Sequence, residues 1–177
     1  MASPKRIQRR TWFDREFELG LPVEAFPDVL ERVRGTPARL EDRVGGVPEE
    51  MRTLQLGGGW SIQENVGHLI DLEPLWAGRL DDLNAGVDRL RGADLENRRT
   101  HGAGHNRRRI EDLLSEFRDE RMATVKRLEE LSFEDLHRSS LHPRLEQPMT
   151  VVDLFFFVAE HDDHHLARIS DILREGS

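Results

Sequence analysis

Two histidines one helical turn apart, His161 and His165, have the spacing in this chain that best suits metal chemistry. They lie between Thr150 and Arg174, where apolar residues recur every three or four positions and predict one amphipathic helix. The apolar stripe continues through both histidines, at positions where a helix core ordinarily carries Leu or Ile. Because residues at i and i+4 stand about 6 Å apart on one helix face, two such imidazoles can share one metal ion.

A third imidazole is available from a second predicted helix. His68 lies at the border of that helix's apolar stripe, and the helix begins with Ser61 and Glu64 in a capping-box pattern. Three imidazoles from facing helices leave at least one coordination position open, as in catalytic metal sites. The alternative is that these histidines are buried and satisfied by hydrogen bonds, and spacing alone leaves both interpretations open.

Four carboxylates lie close to these histidines in the sequence. Glu64, one turn before His68 on the same face, is the candidate general base, although its capping role already accounts for it. Glu73 falls within an apolar stripe, which predicts an ion pair with an Arg on another helix. Asp71 and Asp162 are each close to a candidate ligand, so they either orient its second ring nitrogen or are simply solvated.

The other histidines have weaker claims to be ligands. His101 and His105 also have i, i+4 spacing, but the two glycines between them disfavour a helix, so a mobile loop over the site is expected. His164 lies at the edge of the stripe that carries the two candidate ligands. His137 and His142 fall in a proline-bearing loop with no helical geometry to support them.

Periodicity along the chain predicts four helices, which makes an all-α four-helix bundle the economical fold. The expected helices cover residues 22–44, 61–83, 106–131 and 150–174. The first should be kinked or split at Gly35-Thr36-Pro37. Loops are expected at 47–59, 84–104 and 137–149, with one extra turn near Ser132. We expect residues 1–177 to form a single domain.

The composition restricts the classes of partner. The net charge of -8 argues against a nucleic-acid partner, and the absence of cysteine leaves only histidine and carboxylate as metal ligands. No apolar run approaches the roughly 20 residues of a membrane span, and the basic start of the chain lacks the apolar core of a signal peptide. A cytoplasmic protein is therefore expected. Trp12, Phe13 and Phe17 should pack across the bundle or against a partner subunit, which leaves a homodimer open.

Two longer patterns carry a family resemblance. One runs Trp60-Ser61-x-x-Glu64-x-x-x-His68-Leu69-x-Asp71-x-Glu73-x-x-Trp76, and the other joins Met149-Thr150-Val151 to His161-x-x-His164-His165. Their order and separation resemble the DinB-like (YfiT-like) superfamily over roughly residues 12–173. The resemblance implies an up-up-down-down four-helix bundle with a divalent metal, zinc or nickel in many members. It implies that His68, His161 and His165 form the metal-binding triad.

The resemblance implies a class of chemistry more clearly than it implies a reaction. The superfamily includes thiol-dependent isomerases and S-transferases as well as metal-dependent hydrolases. The first hypothesis is therefore a small-molecule enzyme in which the metal activates water or the thiol of a low-molecular-weight cofactor. Arg168 stands where many members have Gln, and it could bind a carboxylate or thiol-conjugate anion or make a surface pair. The alternatives are a non-catalytic, metal-stabilised structural bundle and a protein-interaction bundle.

Overall fold

The computed structural model describes residue 7 and residues 9–176, which are mainly helical. The helices are α1 (Phe26–Val44), α2 (Glu49–Arg52), α3 (Ile62–Ala85), α4 (Arg98–Ala103), α5 (Ile110–Glu129), α6 (Phe133–Leu136) and α7 (Val151–Glu175). Two short strands, β1 (Ser139–Leu141) and β2 (Pro148–Thr150), pair antiparallel. Within the described range, no helix is both long and apolar enough to cross a membrane. The all-α class and the four-helix bundle are confirmed, whereas most of the basic start of the chain lies outside the described residues.

The capping box predicted at Ser61 is present, and the start of α7 has a second one. The Ser61 hydroxyl accepts from the backbone N–H of Glu64, and the Thr150 hydroxyl accepts from that of Asp153. The Asp153 carboxylate also accepts 2.9 Å hydrogen bonds from the backbone N–H groups of residues 20–21. These contacts define where α3 and α7 begin and attach the N-terminal segment to the bundle.

The first and last long helices run in the same direction. The backbone N–H of Leu21, ahead of α1, contacts Asp153 near the start of α7, while Thr36 in the middle of α1 contacts Asp162 in the middle of α7. By contrast, two ion pairs show that α1 is antiparallel to α5, because the pair that lies further along α1 lies earlier along α5. Each of α1 and α3 packs against both α5 and α7, so α1 faces α3 across the bundle diagonal.

The two middle helices also run parallel to each other. The Gln63 amide at the start of α3 donates to the Arg108 carbonyl just before α5, and Arg127 near the end of α5 pairs with Asp81 near the end of α3. The order of directions along the chain is therefore up-down-down-up. The four-helix bundle was predicted correctly, but the up-up-down-down order is corrected by these contacts.

Parallel neighbours require a connection that returns along the whole bundle. Residues 86–109 make that return between α3 and α5, and they carry α4, a bridge from Arg89 to Leu141 and the buried side chains of Thr100 and His105. The connection predicted at 84–104 is therefore present, but it contains the short helix α4. Gly67 permits the close packing, since a Cβ on this residue would stand 2.2 Å from the His105 ring. The third long helix consequently starts at Ile110, later than predicted.

Helix α1 is continuous through Pro37, so it is not split there. A proline removes the N–H that would bond to the carbonyl four residues earlier, here that of Val33. That carbonyl instead accepts a hydrogen bond from the Arg121 guanidinium of α5 at 3.2 Å. Tertiary contact thus replaces the missing helical bond.

The connections at 47–59 and 137–149 contain more regular structure than expected. The first carries α2, and the second carries the β1–β2 hairpin, in which Ser140 pairs with Met149. The extra turn predicted near Ser132 is α6, whose start has its own capping box with Asp135.

The bundle core consists of two apolar clusters separated by a polar layer. One cluster surrounds Phe155 and the other surrounds Phe117. Between them, Arg121 of α5 pairs with Glu73 of α3 at 2.7 Å and with Asp162 of α7. All three side chains are at most 1% exposed. The predicted pairing of Glu73 with an Arg on another helix is confirmed.

We predict that Arg121→Met destabilises the protein by about 3 kcal/mol or more, because it leaves two buried carboxylates without their cation. Arg118→Met is the matched control on α5, because Arg118 pairs with Glu41 at the partly exposed surface and should change the free energy of unfolding by less than about 1 kcal/mol. Urea unfolding of both variants measures the difference. Equal losses in the two variants would contradict this account of the polar layer.

Candidate metal centre

The three predicted histidines meet at the interface between α3 and α7. His161 and His165 come from successive turns of α7, and their Nε2 atoms lie 3.2 Å apart. His68 faces them from α3, with its ring centroid 5.3 Å from that of His161 and 4.8 Å from that of His165. Each of the three offers one nitrogen within 4.8 Å of the others. Because α3 and α7 are antiparallel neighbours, these residues come together although the sequence separates them widely.

The second ring nitrogens of two of these histidines are held by neighbouring side chains. Nδ1 of His165 lies 2.8 Å from the amide oxygen of Asn65, and Nδ1 of His68 lies 3.0 Å from the hydroxyl of Thr100. Thr100 donates its own proton to Asp71 at 2.8 Å, so its oxygen is free to accept from His68. Both Nδ1 atoms therefore carry the proton, which leaves each Nε2 lone pair directed toward the cluster.

Burial keeps the three imidazoles neutral. It lowers the pKa of His68 to about 4, although Asp71 opposes the shift. It lowers the pKa of His161 and of His165 well below the ordinary value, and the neighbouring histidines add to the effect. Neutral imidazole is the form that binds a metal ion, so the site needs no deprotonation near pH 7.

The donor set fits a divalent ion. Zn–N bonds of about 2.0–2.1 Å in tetrahedral geometry place two ligand nitrogens roughly 3.3 Å apart, close to the 3.2 Å between the Nε2 atoms of His161 and His165. Within the described residues, Nδ1 of His161 is buried without a hydrogen-bond partner. Imidazole ligands suit zinc, nickel, copper and iron, and disfavour magnesium or calcium.

A cavity of about 300 Å³ opens beside the cluster. All three tryptophans of the chain line it, together with the three histidines and Arg168. Trp12 covers one side, with its ring 4.9 Å from that of His161. The predicted packing of the N-terminal aromatic residues across the bundle is thus observed for Trp12 and for Phe17, which is buried, whereas Phe13 is 55% exposed.

The structure gives Glu64 and Asp162 roles in packing. The Glu64 carboxylate accepts from the backbone N–H of Ser61 and from the side chain of Gln55, and it does not line the cavity. These contacts support the capping role. Asp162 accepts from Thr36 and Arg121, so the expectation that it orients a histidine ring is wrong.

Asp71 and Arg168 lie close to the site. Asp71 supports His68 through Thr100, and its Oδ2 also lies 2.9 Å from Nε2 of His105. Arg168 lines the cavity, with its guanidinium carbon 5.8 Å from the Trp60 ring centroid. Burial lowers the pKa of Arg168, and Arg9 adds to the effect.

Sequence reasoning missed several residues of the site. Asn65 and Thr100 were not predicted, although an Asn one turn before His68 on the same helix was a usable signal. Thr100 had no signal, since its position depends on the course of the 86–109 connection. His142, given no role because it falls in a loop, is 2% exposed and lines the cavity.

The chain is thus an up-down-down-up four-helix bundle whose second and fourth long helices bring together three histidines that fit one divalent metal ion. Residues 32–169 match the family model described as the DinB superfamily, and the chain belongs to that superfamily. The fold is similar to that of YfiT from Bacillus subtilis, described as a probable metal-dependent hydrolase with an unusual four-helix bundle topology. The two structures align with a TM-score of 0.80 and 18% sequence identity, over 91% of this chain and 93% of that chain. No curated protein matches the sequence.

Replacing Thr100 by Val should weaken metal binding by about 10–100-fold, because His68 loses the hydroxyl that orients its ring. Competition with a chromophoric chelator measures the affinity. Thr53→Val is the control, since the Thr53 hydroxyl donates to the Glu49 carbonyl in α2. Wild-type affinity in Thr100→Val would contradict the role of this hydrogen bond.

The metal-free protein should lose stability as the pH falls from about 6.5 toward 4. Burial lowers the pKa of His68 and of His164 to about 4 in the folded chain, whereas an unfolded histidine titrates near pH 6.5. Between these values the unfolded chain binds more protons, so the stabilisation is complete above pH 6.5 and declines below it. Urea unfolding at pH 7.5 and 5.0 measures this decline, and His164→Gln should reduce it. A free energy of unfolding that is the same at both pH values would contradict the prediction.

Proposed function

We propose that this protein is a metal-dependent enzyme that acts on a small molecule, with one divalent ion held by His68, His161 and His165. The observation that carries the proposal is the cavity of about 300 Å³ that opens directly beside the three imidazoles. A structural metal site is usually closed by four protein ligands, whereas three ligands beside a cavity leave room for a substrate. Zinc or nickel is the ion that we infer.

Bound there, the ion would supply a Lewis acid that ionises a coordinated water or thiol near pH 7. The side chains around it have distinct tasks. Asn65 and Thr100 orient two imidazoles, while Trp12 and Trp60 restrict the access of water. Arg168 offers a cation to an anionic group of the bound molecule. Metal-dependent hydrolysis and thiol S-transfer both remain within this proposal.

The position of Glu64 affects which nucleophile the site can use, because water would need a general base and Glu64 was the candidate. Its oxygens are engaged by Ser61 and Gln55 outside the cavity wall, so we do not retain it as the base. The acid in the wall among the described residues is Asp94, which is exposed and accepts from the backbone of residues 96 and 98. A nucleophile that needs no carboxylate base fits this wall, and a metal-bound thiol is one such nucleophile.

We infer a cytoplasmic protein that binds a small molecule and not nucleic acid, on the basis of its negative charge and the absence of cysteine. The alternative function is a metal-stabilised structural or interaction bundle in which no turnover occurs. The two proposals differ in one measurable property, because an enzyme site keeps an exchangeable position on the ion.

The test is to load the protein with Co²⁺ as a spectroscopic probe and to titrate it with 2-mercaptoethanol. We expect one ion per chain in wild type, its loss in His161→Ala, and a new thiolate charge-transfer band as the thiol binds. His137→Ala, an exposed histidine, is the control and should retain the ion. Binding of Co²⁺ with no response to thiol would favour water as the nucleophile. A spectrum that neither thiol nor azide alters would favour the structural alternative, and the absence of metal binding would contradict the proposal.

A further inference from the structure

The cavity carries positive charge on a wall separate from the three histidines. Arg79 of α3 and Arg144, in the turn between β1 and β2, both line it. Arg79 is 2% exposed. Its Nε donates to the Arg91 carbonyl at 3.1 Å, and its Nη1 lies 3.0 Å from Nε2 of His142. Among the described residues, neither guanidinium forms an ion pair with a carboxylate.

Arg144 has an unused hydrogen-bond donor. Its Nη2 is buried and has no hydrogen-bond partner within residues 9–176, while its guanidinium carbon lies 5.4 Å from the Phe13 ring centroid. Burial lowers the pKa of Arg144. A buried donor without a partner is costly, so a cation held in this way indicates a missing acceptor.

Asp82, the acid that influences Arg79, is already paired with another arginine. Asp82, one turn from Arg79, receives two hydrogen bonds from the Arg91 side chain, at 2.9 and 2.7 Å. Burial lowers the pKa of Arg79 to about 10, with Asp82 opposing the shift and Arg144 adding to it. Arg79 therefore remains a cation near pH 7, and its charge is not neutralised by a direct partner.

His142 lies against both cations and adds no charge. Its Nδ1 lies 3.2 Å from the backbone nitrogen of Arg144 and 3.1 Å from that of Leu145, while its Nε2 faces Arg79. Burial lowers the pKa of His142 to about 3, and the nearby arginines add to this effect. The ring is neutral, so the two guanidinium groups define the electrostatics of this wall.

Aromatic side chains connect this wall to the three histidines. The Phe157 ring lies 5.2 Å from that of His142 and 5.1 Å from that of Trp12, and the Trp12 ring lies 4.9 Å from that of His161. A ligand that spans the cavity therefore meets cations at one end, apolar rings along its length and the imidazole cluster at the other end.

We propose that Arg79 and Arg144 form a subsite for the carboxylate of a small organic acid. The apolar body of that acid lies on Phe157 and Trp12, and its far end reaches the three histidines. Planar guanidinium groups match a carboxylate in shape as well as charge. The identification of this acid as the substrate rests on the proposed function, whereas its binding at the two arginines does not.

Intrinsic fluorescence can report binding, because Trp12, Trp60 and Trp76 all line the cavity and are the only tryptophans of the chain. The probes are 4-phenylbutyrate and its uncharged analogue 4-phenylbutyramide, titrated into chelator-treated full-length protein. We expect saturable binding of the carboxylate and affinity for the amide at least about tenfold weaker, as for the loss of a charge-assisted hydrogen bond. Equal affinities for the two probes would overturn the proposal.

Arg144→Met should weaken the binding of 4-phenylbutyrate by about tenfold or more and leave the affinity for 4-phenylbutyramide unchanged. Arg144→Lys should recover part of this loss. Arg109→Met is the matched control, since Arg109 is exposed and lies outside the cavity wall. Circular dichroism verifies that each variant is folded, and Arg79→Lys provides a second variant at the subsite. Unchanged carboxylate affinity in folded Arg144→Met would overturn the assignment.

The use of His161→Ala separates this subsite from the metal centre. Carboxylate affinity that persists in His161→Ala and in chelator-treated protein supports binding at the arginines. Affinity that appears only with metal present would mean that the ion binds the carboxylate, which overturns the subsite and leaves the proposed function intact. Carboxylate binding in a protein that takes up no metal would contradict the proposed function and support the subsite.

Discussion

The buried Arg121 guanidinium is the group on which the packing of all four long helices depends. It extends from α5 and donates to Glu73 of α3, Asp162 of α7 and the Val33 carbonyl of α1. A buried cation with so many partners tolerates little sliding of any helix, because a shift would leave charges unpaired. Asp162 follows His161 directly in α7, so the contact that positions the helices also determines the height of the histidine cluster.

The up-down-down-up order explains why residues of the 86–109 connection contact the candidate metal centre. Since α3 and α5 are parallel neighbours, the chain must return along the bundle between them, and residues 86–109 do so beside α3. That return places Thr100 against His68 and His105 against Asp71. The connection is therefore part of the candidate metal centre, and it also borders the cavity at residues 92–95 and 97.

Local chemistry made some of this structure predictable, and long-range packing made the rest unpredictable. The capping boxes at the starts of α3 and α7, the histidines on their inner faces and the pairing of Glu73 all follow from patterns within one helix. The continuity of α1 through Pro37 does not, since it depends on Arg121, which lies more than 80 residues away in the sequence. The same applies to the cavity wall, because the burial of His142 and Arg79 arises only when the hairpin packs on α3. The order of helix directions implied by the family resemblance could not be checked against the sequence, because amphipathic patterns do not distinguish parallel from antiparallel neighbours.

The central claim is that three imidazoles hold one divalent ion with a coordination position left for a small molecule. X-ray absorption spectroscopy at the metal edge of the zinc- or nickel-loaded protein tests it most directly. For zinc, the account predicts three imidazole nitrogens at about 2.0–2.1 Å together with at least one exchangeable light-atom ligand that azide or a thiol replaces. A first shell filled by four protein ligands, or a metal with fewer than three histidines, would contradict it.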